Sequence, residues 1–219
     1  MDSVALTMRM MPTEYGEWRD AIAQDWANHL HPQNIQPILV PNDPANSPKY
    51  LEDVKALILS GGDDIVLKTP DDESDDPNAI RDKSEIAIFE AAMERGIPVI
   101  GICRGLQFIN WYFGGTLVKM PDVSGHVAKY HDITVTDAEG QNLIPKGVMN
   151  VNSFHQLDIA KLGENLKIFA EDPNGVKEGI YHTEKDITAI LWHPERKFKD
   201  EKATEFHSNL IRRFIDSRG

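Results

Sequence analysis

The nine residues Val99-Ile100-Gly101-Ile102-Cys103-Arg104-Gly105-Leu106-Gln107 constrain this chain more than any other stretch. Residues 98–102 are an apolar run that reads as a buried strand of a parallel sheet. Leu106, Phe108, Ile109 and Phe113 follow at once with helical spacing, leaving no room for a loop. The only cysteine of the chain sits on the join, with Gly101 and Gly105 two residues to either side. A strand-to-helix turn this sharp presses backbone against backbone, so the flanking positions favour residues without a Cβ. The small-x-nucleophile-x-small spacing is that of a nucleophile elbow, with sulfur in place of a serine oxygen. A thiol there faces the unpaired N–H groups and positive dipole end of a helix, which favour a thiolate and can also bind an oxyanion.

Hydropathy patterning around this stretch gives the fold class. Strands are expected at 4–8, 35–40 and 55–60, and helices at 14–30 (Trp18, Ile22, Trp26, Leu30) and 80–95. The second of these helices reads as a surface element with Ile86, Ile88, Phe89 and Met93 among charges, and the acidic stretch 71–77 before it as a solvated loop. After Gly114-Gly115 come short strands at 131–136, 148–153, 166–170, 176–181 and 188–192 without intervening helices, then an amphipathic helix at 203–217. The expectation is one α/β domain over 1–219: a mostly parallel sheet with helices on both faces and a small antiparallel annex.

Composition excludes several classes of partner. The 35 acidic residues against 23 basic give a net charge of −12, which argues against binding a nucleic-acid backbone. One cysteine allows no disulfide framework, and the first residues carry neither a basic segment nor a long apolar one. No apolar run approaches the roughly 18 residues that span a bilayer. A soluble cytoplasmic protein is expected, with no membrane partner.

A thiol nucleophile needs a base and a group that orients the base. His193 ends the apolar run Ile190-Leu191-Trp192, where sites of open parallel sheets lie, and Glu195 is close enough to hold its ring. Gly61-Gly62, after a buried strand, can present main-chain N–H groups, so those of Gly62 and Arg104 are candidates for an oxyanion hole. Asn152-Ser153-Phe154-His155-Gln156 is either a polar cluster at the substrate or an exposed turn. His29 with His31, and His126 with His131, match no strong zinc spacing and read as surface histidines, so no metal is expected. No phosphate-binding glycine loop is present and no cofactor is called for.

Gly-Gly-x-Asp at 61–64, Gly-Ile-Cys-Arg-Gly-Leu-Gln at 101–107 and Trp-His-Pro-Glu at 192–195 together resemble the class I glutamine-amidotransferase-like superfamily. The resemblance implies a flavodoxin-like sheet, a Cys103–His193–Glu195 triad and attack on a γ-glutamyl carbonyl through a thioester. It also implies that Gln107 and the main chain around Ser153, Phe154 and His155 hold the glutamyl end. Arg104, Arg81-Asp82 and Val151-Asn152-Ser153-Phe154-His155 look like the γ-glutamyl hydrolase (peptidase C26-like) branch, whose substrates are small γ-glutamyl conjugates. The alternative is a glutaminase subunit supplying ammonia to a separate synthase. Tyr15-x-Glu17-x-Arg19, Asp25-Trp26 and His193-Pro194-Glu195-Arg196 add a narrower similarity to γ-glutamyl-CDP-amidate hydrolases, which serve capsule phosphoramidate biosynthesis. A pyrophosphate-bearing substrate of that kind needs cations, and Arg9, Arg19 and Arg104 are the candidates.

Overall fold

The computed structural model describes residues 1–74, 76–136, 143–196 and 206–217. In chain order the strands are β1 (Asp2–Thr7), β2 (Arg9–Pro12), β3 (Trp18–Ala21), β4 (Ile35–Val40), β5 (Ala56–Leu59), β6 (Val99–Ile102), β7 (Thr116–Lys119), β8 (Val127–Val135), β9 (Gly147–Phe154), β10 (Leu157–Lys161), β11 (Leu166–Glu171), β12 (Lys177–His182) and β13 (Ile187–Ile190). The helices are α1 (Gln24–Leu30) between β3 and β4, α2 (Ala79–Glu94) and α3 (Arg104–Tyr112) on either side of β6, and α4 (Leu210–Asp216) after β13. Residues 203–205, the expected start of the last helix, lie outside the described residues.

Nine strands form one sheet in the order β4-β1-β5-β6-β13-β12-β11-β8-β9. The block from β4 to β13 is parallel, and from β12 onward the pairing is antiparallel. The antiparallel strands thus extend the main sheet, with a two-strand ladder, β10-β7, beside it. Side chains alternate across the parallel block because successive Cβ atoms point to opposite faces. Val4, Leu6, Ile58, Ile100, Ile102 and Ile190 face one side, with Trp26 and Leu30 of α1 and Leu210, Ile211 and Phe214 of α4. Ala5, Leu57, Leu59, Val99 and Ala189 face the other, with Ile88 and Phe89 of α2 and Leu106, Phe108 and Ile109 of α3. Burial on both faces explains why these strands are nearly continuous apolar runs.

Two expectations need correction. The helix read at 14–30 begins only at Gln24, and β2 and β3 form a hairpin before it. Its turn is closed by Thr13 N–H to Glu17 O (2.8 Å) and Gly16 N–H to Thr13 O (3.1 Å), with Gly16 at φ 77°. Local turn geometry there overrides the helical spacing of Trp18 and Ile22. The helix read as a surface element, α2, buries Arg81, Asp82 and Glu85 together with Ile88 and Phe89.

Candidate active site

Three adjacent parallel strands deliver the site. Leu59 of β5 pairs with Gly101 of β6, and Ile102 of β6 pairs with Ile190 of β13, so the residues just beyond meet at one end of the sheet. Cys103 follows β6 at once and has φ 54°, ψ −104°, a backbone conformation unusual for a side-chain-bearing residue. Its N–H donates to Ile190 O at 2.8 Å, which anchors the elbow to β13. The flanking glycines are required by contact: a Cβ on Gly101 would lie 2.7 Å from the Gly105 carbonyl, and one on Gly105 2.3 Å from Leu59 O.

His193 and Cys103 are brought together over Gly61. A Cβ placed there would stand 2.9 Å from His193 Cε1 and 3.6 Å from Cys103 Cβ. The His193 ring is buried, with Nδ1 at 2.7 Å from Glu195 Oε1. Asn152 of β9 clamps the His193 backbone from both sides, Nδ2 donating to His193 O and Oδ1 accepting from His193 N–H, each at 2.9 Å. Burial alone would lower the His193 pKa, but the charges of Glu195 and Cys103 raise it to about 9. Burial would likewise raise Glu195, and the imidazole beside it pulls its carboxyl below the usual range.

A cleft of about 410 Å³ opens over the thiol, lined by Gly62, Asp63, Asp64, Cys103, Gln107, Lys119, Phe154, His155, Gln156 and Leu157. The main-chain N–H groups of Gly62 and Arg104 take no backbone partner among the described residues. Gln107 and Phe154 line the cleft as expected, and Phe154 stands edge-on to His193 with Arg196 over its ring at 4.0 Å. Ser153 is fully buried and donates its hydroxyl to His126 O at 2.8 Å, so its side chain faces away from the cleft. His155 lines the cleft, but its imidazole turns back toward buried Glu178.

The three candidate arginines separate. Arg9 grips Asp63 of the cleft wall at 2.9 and 3.0 Å and therefore stands at the rim. Arg19 pairs with Glu17 on the exposed hairpin. The Arg104 side chain is 1% exposed and points beneath the elbow, where it pairs with Asp82 and Glu85 of α2. It cannot serve as a cation of the cleft, because a guanidinium held by two buried carboxylates is already spoken for. Glu85 also accepts from Thr7 Oγ1 (2.9 Å) and Arg81 (3.1 Å), and Arg81 donates to the carbonyls of Ser60 and Gly61 (3.0 and 3.1 Å). Burial alone would raise both carboxyls: for Asp82 it prevails, while for Glu85 Arg104 and Arg81 win and lower it. This network props up the Gly61–Gly62 turn, and a Cβ on Gly62 (φ 153°) would lie 2.0 Å from Arg81 Nη1.

Sequence reasoning missed Lys119, the cation that does line the cleft, because β7 carries no strong apolar pattern. His126 is buried and His131 largely so, each within 3.8 Å of Glu178, which corrects the surface reading of both. His29 is buried too, and burial lowers its pKa to about 4.

A thiol on a strand-to-helix elbow, with a histidine–carboxylate pair from the neighbouring parallel strand, places the molecule in the class I glutamine-amidotransferase-like group. Solved structures share the fold. A glutamine amidotransferase from Thermotoga maritima superposes with a TM-score of 0.67 at 14% identity, covering 98% of this chain and 96% of that one. PurLQS from the same organism gives 0.69 at 18% identity, covering 100% and 99%. The sequence matches the Peptidase C26 family over residues 4–195, and the chain belongs to that family. Among its relatives, the γ-glutamyl-CDP-amidate hydrolase of Campylobacter jejuni is 30% identical over 89% of this chain and 90% of its own length. YvdE of Lactococcus lactis, named as glutamine amidotransferase-like, is 34% identical over 78% of this chain and 81% of its own. The family membership makes the protein a hydrolase or an amidotransferase. No helix among the described residues is long and apolar enough to cross a membrane.

Proposed function

We infer that this protein hydrolyses a γ-glutamyl amide or phosphoramidate bond and releases glutamate. The observation that carries the reading is Cys103 on the lining of one cleft with the buried His193–Glu195 pair beside it. The Cys103 sulfur attacks the γ-carbonyl, and the N–H groups of Gly62 and Arg104 receive the oxyanion. As the C–N bond breaks, His193 gives its proton to the departing nitrogen, leaving a γ-glutamyl thioester. His193 then takes a proton from water, the hydroxide oxygen bonds to the carbonyl carbon, and the C–S bond breaks to free glutamate and restore the thiolate. Glu195 holds the imidazole in register throughout. Gln107 and the main chain of 153–155 hold the glutamyl amino and carboxylate groups.

The relative from Campylobacter jejuni supports a phosphoramidate leaving group, γ-glutamyl-CDP-amidate being the leading candidate. Lys119 in the cleft and Arg9 at its rim supply positive charge for a pyrophosphate, although Arg9 must share itself with Asp63. The test is to incubate the purified chain with γ-glutamyl-CDP-amidate, γ-glutamyl amines and glutamine, measuring released glutamate and quenching early for mass analysis. The expected result is turnover of a conjugate by the chain alone, with a γ-glutamyl adduct on the Cys103 peptide and no turnover in Cys103→Ala. Turnover surviving that substitution would remove the mechanism. Weak activity confined to glutamine, strongly stimulated by a synthase, would favour an ammonia-supplying glutaminase instead.

A further inference from the structure

Behind the cleft wall, three histidines crowd one buried carboxylate. His155 Nε2 and His131 Nε2 each lie 3.2 Å from Glu178 Oε1, and His126 Nδ1 lies 3.8 Å from it. Glu178, on β12, is fully buried, and its second oxygen has no hydrogen-bond partner among the described residues. The imidazoles arrive from different places: His126 from just before β8, His131 from within it, and His155 from the turn after β9.

His126 and His155 each stand between acceptor oxygens on both sides of the ring. His155 Nδ1 faces Leu157 O at 3.3 Å, and His126 Nε2 faces Asp172 Oδ2 at 3.6 Å. Glu178 Oε1 faces the other nitrogen of both rings, and Ser153 Oγ, whose proton goes to His126 O, lies 3.5 Å from His126 Nδ1. A neutral imidazole carries one proton for two nitrogens, so each ring leaves a lone pair turned toward an acceptor oxygen in a buried place. A cation bound among them takes up those lone pairs. Protonating every ring would set imidazoliums against one another at ring-centre separations of 4.5 and 4.9 Å. One ion bonded to His126, His155 and Glu178 removes the conflict at those two rings. An imidazole whose far N–H is held by a carboxylate or a carbonyl is also the arrangement that metal-bound histidines adopt.

The spacing suits zinc. Four ligands at about 2.0–2.1 Å around a tetrahedral ion stand about 3.3–3.4 Å apart, close to the separations measured from Glu178 Oε1. The ligating atoms of His126, His155 and Glu178 all fall within 4.8 Å of one another. We propose that His126, His155 and Glu178 bind one divalent transition-metal ion of the zinc class, with His131 beside it and Asp172 orienting His126. The ion staples the β8–β9 hairpin onto β12 and fixes the turn carrying Phe154 and His155, which forms one wall of the cleft. It lies behind that wall rather than over the thiol, so its role is to position the wall. The proposal does not depend on which γ-glutamyl bond is cleaved.

The experiment uses the full chain without a histidine tag, stripped with a chelator and titrated with Zn²⁺ or Co²⁺. One ion per chain, a higher melting temperature and a cobalt spectrum without thiolate charge transfer are expected, all unchanged in Cys103→Ser. His126→Gln and Glu178→Gln, checked for folding by circular dichroism, should fall from one ion to none, and Asp172→Asn should weaken binding about 10–100-fold. No bound ion in the wild type, retention in folded His126→Gln, or loss in Cys103→Ser would each overturn the assignment. Should the variants fail to fold, anomalous diffraction at the zinc edge decides on the wild type. A peak about 2.0–2.2 Å from His126 Nδ1 and His155 Nε2 sustains it, and a peak elsewhere or none refutes it.

Discussion

His193 is where a single side chain sets both stability and chemistry. Its pKa, raised to about 9 against an ordinary 6.5, means the folded state holds a proton that the unfolded chain releases earlier. The stabilisation is therefore complete below about pH 6.5 and is lost as pH rises through about 9. Glu195→Gln removes the larger of the two charges that raise it, so the melting-temperature gap between wild type and variant should be wide near pH 7 and close above pH 9. The alkaline limb of kcat/KM should likewise stand near pH 9 and move to lower pH in the variant, because His193 must be protonated to release the nitrogen. A limb that stays in place would show that Glu195 does not govern the imidazole. His193→Ala should cost about 10²–10⁴-fold in rate as the acid–base group is lost, more than Glu195→Gln costs. That Cys103, His193 and Glu195 come together was legible at this scale because strand ends and motif spacing reveal where a residue emerges. The direction of a long side chain was not: Arg104 follows the nucleophile in sequence yet points beneath it, since two buried carboxylates of α2 compete for it.

At the scale of elements, the strands of the parallel block were readable because burial on both faces leaves an unbroken apolar run, as in Ala56–Leu59 and Val99–Ile102. The β2–β3 hairpin was not, because its tryptophan and the isoleucine after it happen to fall at helical intervals with Trp26 and Leu30. Trp18 is in fact 40% exposed, and Gly16 was the signal for a turn. The charged face of α2 misled for another reason: periodicity marks which side is polar, but cannot say that the polar side is buried against matching charges. Two predictions belong here. Gly105→Ala forces a Cβ to 2.3 Å from a strand carbonyl that cannot swing away, so it should destabilise by about 1–3 kcal/mol or more in urea unfolding and lower activity by shifting the elbow. Glu85→Gln leaves Arg104 and Arg81 short of a buried counter-charge and should cost about 3–5 kcal/mol. A loss under 1 kcal/mol in the latter, measured the same way, would mean that the network tolerates an unpaired guanidinium and is not what holds α2 to the elbow.

Over the whole molecule, the last helix closes the fold by returning to its first strand. Leu210, Ile211 and Phe214 are fully buried in the cluster that contains Val4, Leu6, Trp26 and Trp192, the residue before the site histidine. Polar contacts reinforce the closure: Arg212 reaches Asp2 at 2.6 Å and the Gln33 carbonyl at 3.0 Å. The two kinds of contact differ in weight. The Arg212–Asp2 pair is partly solvated and competes with water and salt, whereas removing the Phe214 ring opens a cavity between the sheet and α4. Phe214→Ala should therefore lose about 3–5 kcal/mol, seen as a lower urea midpoint with an unchanged slope, while Asp2→Asn should leave the midpoint nearly where it is. Well below its melting temperature, Phe214→Ala should keep kcat near wild type, because Trp192 is also held by β13 and the clamp of Asn152 on His193 remains. A drop in kcat at full occupancy of the folded state would instead show that α4 tunes the imidazole through Trp192, tying closure of the chain ends directly to the chemistry.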